Sequence, residues 1–150
     1  MAAKMTLPGT YVFRFAGFDR DNTRPRHVTG VGQIVLTDTK PGTGTITSGA
    51  QRVTNSPMSG QAKDLTYSEY TLSGDYKLIQ AGPPILATAN VTFTQSSGSG
   101  RLKMSDVFAI VQGGPDRLWI MSTDPREEPS SNKIQELVLG ELVKVDMTNW

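Results

Sequence analysis

Apolar residues recur at every second position along most of this chain, the period of a β-strand with one buried face. The alternation is cleanest over Thr66 to Ile79, where Tyr70, Leu72, Gly74, Tyr76 and Leu78 share one face. Glu69, Thr71, Ser73, Asp75 and Lys77 fall on the other. Gly9 to Gly17 sets Tyr11, Phe13 and Phe15 against Val12 and Arg14, and His27 to Thr37 carries Val28, Ile34 and Leu36 in phase. Gly30 and Gly32 lie among the latter, where small inward residues suit a sharp bend or space left for another group. Thr43 to Gly49 is a weaker, polar strand, and Ile85 to Gln95 aligns Ala87, Ala89, Val91 and Phe93. Arg101 to Thr123 reads as two strands joined by Gly113-Gly114-Pro115-Asp116, a hairpin signal. Ile134 to Val145 closes the chain, with Leu137 and Leu139 opposing Val138 and Leu142. No apolar period of helical length interrupts the series.

Eight such strands predict an all-β chain: a single eight-stranded antiparallel, mostly up-and-down β-barrel, residues 1–150 forming one domain. A two-sheet sandwich is the structural rival. If neighbours pair in order, the connections at 18–26, 50–65, 96–100 and 124–133 share one end. Those at 38–42, 80–84 and 113–116 share the other and are all tight. The pattern predicts an open mouth ringed by long loops and a closed base, with the site at the mouth.

Composition narrows the chemistry. Fifteen basic and fourteen acidic residues leave a formal charge of +1, which removes the electrostatic case for nucleic acid or an anionic membrane surface. The chain has no cysteine and one histidine, His27. Disulfides, thiolate chemistry and a multi-histidine metal site within one chain are excluded. The N-terminal residues MAAKMTLPGTY lack a signal-peptide apolar region, and no run approaches a membrane span. The expectation is a cytoplasmic protein, export with removal of a signal being the alternative. Gly30/Gly32 and Gly42/Gly44 are not phosphate loops, since no Lys-Ser/Thr pair or helix start follows. No cofactor is implied.

The pieces GTYVFRFAGFD, VTGVGQIVLTDTKPGTGTITSGAQRVTNS and YTLSGDYKL, with FAIVQ and LWIMSTD, lie in order across residues 9–124. Their glycine and aromatic spacing resembles an uncharacterised bacterial family of calycin-like or allene-oxide-cyclase-like β-barrels. The resemblance implies a calycin-like barrel, and relatives at that level include small-molecule carriers and cofactor-free cyclases. It carries no catalytic residue over to this chain.

Few residues invite chemistry. Asp106 shares the phase of Leu102, Met104, Phe108 and Ile110, so an unbroken strand turns it inward, where a buried carboxyl could serve as general acid or base. The cost of burying an unpaired charge favours instead a β-bulge near Ser105-Asp106 that turns it out. Glu69 and Arg14 read as solvated strand exteriors. Glu141 shares the phase of Leu137 and Leu139, and near the terminus a bulge or fraying is expected to release it to solvent. His27 starts a strand at the mouth, beside Arg24 and Arg26; it could transfer a proton, although an exposed strand-end histidine is more often incidental. Tyr11, Phe13, Phe15, Tyr70, Tyr76, Phe93, Phe108 and Trp119 read as core, some of them lining an apolar cavity.

These readings lead first to a module that binds a small, mainly apolar molecule inside the barrel, entered from the long-loop end. The alternatives are a cofactor-independent cyclase or isomerase that folds its substrate by orientation, with Asp106 or His27 as the acid–base groups, and a filled barrel acting as a homo-oligomerisation module. In the last, an exposed apolar face around Val107, Trp119 and Met121 meets a second copy.

Overall fold

The computed structural model describes residues 5–21, 24–57, 65–98, 103–123 and 136–146. Eight antiparallel strands pair in chain order and close into one barrel: β1 (Gly9–Asp21), β2 (Arg24–Lys40), β3 (Thr43–Pro57), β4 (Thr66–Gln80), β5 (Leu86–Gly98), β6 (Lys103–Gly114), β7 (Arg117–Ser122) and β8 (Glu136–Lys144). β8 pairs with β1, so no edge is left open. Among the described residues no helix is long and apolar enough to cross a membrane.

The period-two pattern sets the inside. Tyr11, Phe13, Ile34, Leu72, Tyr76, Ala89, Phe93, Phe108, Leu118 and Leu142 are buried in one continuous core. The outward positions of β2 to β5 are mostly polar, among them Thr37, Arg52, Thr71, Asp75, Lys77 and Asn90, with Val31, Tyr67 and Ile79 as exposed exceptions. An apolar interior and polar exterior over these strands reverse the arrangement of a lipid-spanning barrel.

Several strands are longer than the alternation predicts. β1 and β2 run on through most of 18–26, opposing Phe18 to His27 and Asp19 to Arg26. An antiparallel ladder needs backbone partners but not burial, so polar residues extend it. The stretch 50–57, expected to be irregular, belongs to β3. Its phase is hidden by a bulge between Ile46 and Ala50, where the pairing with β4 shifts. Before it Gly44 and Ile46 point inward; after it Gln51, Val53 and Asn55 do. One inserted residue exchanges the two faces of a strand.

The bulge expected at Asp106 does not form. β5 and β6 pair without a shift from Leu86↔Val111 to Thr94↔Lys103, so Asp106 stays in phase and is buried, 8 % exposed. Glu141 faces outward, as expected, but by strand phase: Val138 and Leu142 point in, while Leu137, Leu139 and Glu141 point out.

The glycines of β2 leave space that aromatic rings fill. Gly32 lies opposite Phe13 and Gly30 opposite Phe15, and a Cβ at either would overlap the facing ring. Cross-strand aromatic–glycine pairs of this kind hold register in curved sheets.

The base is sealed. Met5 and Leu7 are buried ahead of β1, the Tyr11 hydroxyl donates to the Leu7 carbonyl at 2.7 Å, and the Lys144 ammonium donates to the Thr6 carbonyl at 2.7 Å. Ile85, ahead of β5, is also buried and exchanges hydrogen bonds with Gln112 through its N–H (3.0 Å) and carbonyl (2.8 Å). At the opposite end, residues 58–64, 99–102 and 124–135 of the proposed mouth lie outside the described residues.

Candidate functional site

The barrel encloses a cavity of about 70 Å³ to which every strand contributes. Its lining side chains are apolar except for Gln51 and Tyr76, whose hydroxyl donates to the Asp38 carboxylate. So few polar groups among so many apolar ones follow from the strand pattern, because inward positions are nearly all aliphatic or aromatic. The volume is several times the roughly 10–15 Å³ that one water needs, and well short of the roughly 300–1,000 Å³ of a drug-sized site.

Of the aromatic residues expected at the interior, Phe13, Phe15, Tyr76, Phe93 and Phe108 line this cavity. Phe13 and Phe15 stack with centroids 6.3 Å apart. Phe93 takes an edge contact with Phe108 at 6.3 Å and with Tyr70 at 6.5 Å. Tyr70 is therefore a second layer behind Phe93. Tyr11 sits at the sealed base, away from the cavity wall. Trp119 is corrected outright as an interior residue: it projects from the outer face of β7, 56 % exposed. The hairpin register places it opposite Val111, on the outward phase, with Leu118 and Ile120 pointing in.

Asp106 and His27 are not brought together. His27 lies on the exposed side of β2, its ring 5.2 Å from that of Phe18 on the barrel exterior. Asp106 lies inside, opposite Val91. Its Oδ1 accepts the N–H of Val107 at 2.8 Å. The reason is local: β7 ends at Ser122, and the Val107 carbonyl still takes the N–H of Thr123. The adjacent Val107 N–H has run past the last β7 ladder position, and the carboxylate supplies its acceptor. Asp106 is thus tied into the wall of the barrel. Ser122 has a similar task, its hydroxyl accepting the Val138 N–H at 2.9 Å.

Two tyrosines near the base hold their protons tightly. Burial pushes the Tyr11 phenol up. Burial does the same for Tyr76, and its hydrogen bond to the Asp38 carboxylate raises it further. Neither is a candidate base near neutral pH. Burial also lowers Lys144, whose ammonium lies 6.0 Å from the Tyr11 ring centroid.

The alternation alone misses Gln51, Asn55, Ser68 and Ser122, all buried on the inward side. Gln51 and Asn55 were concealed by the β3 bulge. Ser68 and Ser122 carry an ordinary inward phase, but a small hydroxyl gives no contrast in an apolar/polar pattern. Arg14 and Arg117 flank Glu141 outside at 2.9 and 3.5 Å. Comparison with protein-family models, curated proteins and solved structures finds no match to the chain.

Proposed function

We propose that the barrel binds a small, mainly apolar molecule in its central cavity, entered from the end opposite the sealed base. The apolar cavity walled by all eight strands carries this reading. Its volume confines the ligand to a few heavy atoms, or requires partly buried side chains such as Phe15, Met104 and Ile120 to turn aside. The engagement of Asp106 by its own strand favours binding over proton transfer.

Native mass spectrometry of freshly purified protein, with identification of anything released on denaturation, tests the proposal first. Small hydrocarbons titrated into the protein should perturb amide signals around Phe93 and Phe108. Ala89→Leu, which extends a side chain into the cavity, should abolish those perturbations in a folded barrel. A clean mass together with no perturbation by any probe would overturn the reading.

A second reading has its own observation. Trp119, Met121, Leu137 and Leu139 (62 % exposed) form an apolar stretch on the outer face of β7 and β8, and Phe18 and Ala16 of β1 continue it. Beside Trp119 runs a groove between Ala16, Leu139 and the Arg14–Glu141 pair. The Trp119 indole lies over Gly113 and walls one side of that groove, and a single face carrying both ring and recess can pair with its own copy about a two-fold axis. The occupant is accordingly a second copy of this chain, and the Arg14–Glu141–Arg117 cluster forms the polar rim.

A further inference from the structure

The cavity wall contains a polar side chain with no hydrogen-bond partner among the described residues. Gln51 is 5 % exposed and lines the cavity, and its amide hydrogen-bonds no group among the described residues. The register sets it directly opposite Tyr70 on β4, and Tyr70 directly opposite Gln95 on β5. All three occupy inward phases, so they form one row across adjacent strands. At the far end of that row the Gln95 Nε2 is also buried without a hydrogen-bond partner.

Buried amides are ordinarily satisfied, because leaving one unpaired forfeits its hydration with nothing in return. An unpaired amide on the cavity wall, with a buried unpaired donor farther along the same row, marks the place of a polar group that is not part of the protein. We propose that Gln51, supported by Gln95, recognises the oxygen-bearing head of the ligand: a hydroxyl or carbonyl on an otherwise apolar molecule. The amide of Gln51 offers both a donor and an acceptor, matching either oxygen type. Gln95 lies beyond Tyr70 and does not line the cavity, so its support of the row is indirect. The apolar remainder of the ligand lies against Phe93, Phe108 and Leu72, deeper in the cavity. This inference rests on the binding function proposed above and adds the chemical class of the ligand.

The decisive comparison is 1-pentanol against n-pentane, titrated into the full chain and followed by amide signals, those of the Gln51 and Gln95 side chains included. In a cavity without a polar partner the hydrocarbon binds better, since the hydroxyl loses its water for nothing. With Gln51 as partner the alcohol should bind about ten-fold more tightly, the effect of one net hydrogen bond. Gln51→Met, close in volume and unable to hydrogen-bond through an amide, should reverse that order, the alcohol losing affinity relative to pentane. Gln95→Met should reduce the preference, and it serves as the variant if Gln51→Met does not fold. Pentane binding as tightly as pentanol to the wild type would overturn the head-group assignment alone. Binding of neither would overturn the cavity reading and this inference with it.

Discussion

Asp106 illustrates how a single residue can be placed by backbone need. An inward carboxylate among Val91, Met104 and Phe108 looks chemically provocative, yet its Oδ1 accepts the N–H that β7 leaves behind. Asp106→Asn keeps an oxygen in that position and should retain the fold. Asp106→Ala leaves the Val107 N–H without this acceptor and should lower stability by about 1–3 kcal/mol, measured by urea unfolding. If the alanine variant were as stable as the wild type, the carboxylate would not be serving the wall. The buried phenols of Tyr11 and Tyr76 make a second prediction. Their folded-state pKa values are raised above the ordinary 10.0, so the folded protein holds protons that the unfolded chain releases. Stability from this source is complete below pH 10 and is lost as pH rises beyond it. Phenolate absorbance of these two should therefore appear together with unfolding, and early ionisation of all four tyrosines in a folded protein would contradict the burial.

At the level of strands, the β1–β2 pair depends on matching rings to glycines. Phe13 faces Gly32 and Phe15 faces Gly30, with no room for a methyl between. Gly30→Ala, where the facing Phe15 ring is the nearest obstacle, should destabilise by about 1–3 kcal/mol, the range for overpacking. In a Phe15→Leu background the loss should shrink, because the ring that fills the space has been removed, and this coupling is read by a double-mutant cycle. Equal losses in both backgrounds would mean that the glycine serves the backbone alone. The β3 bulge works at the same scale: by changing phase between Ile46 and Ala50 it turns Gln51 to the cavity. The one amide in the wall is therefore a consequence of a strand irregularity.

For the whole molecule, closure leaves one face unlike the rest. On β2 to β5 exposed apolar residues such as Val31 and Ile79 are scattered among threonines and charges, whereas Trp119, Met121, Leu137 and Leu139 gather across β7 and β8. Apolar surface gathered in one place ordinarily marks an interface. Sedimentation at rising concentration should show a dimer, and Leu139→Lys or Trp119→Lys should return it to monomer with the barrel intact. A wild type that stays monomeric at the highest concentrations would remove the second copy from that face.

The chain by itself determined its class and most of its core. Period-two alternation over Tyr11–Phe15, Tyr70–Leu78 and Ala87–Phe93 is a local property, and a strand with one apolar face must bury it wherever it pairs. Tight turns at one end likewise follow from Gly and Pro in the sequence. Tertiary pairing decided the rest. Only the ladder shows that β1, β2 and β3 continue through polar segments, that Asp106 meets no bulge, and that Trp119 turns outward. Only the bulge in β3 brings Gln51 inside. These outcomes depend on which backbone group lies opposite which, and a shift of one residue exchanges inside for outside without altering the composition of the strand.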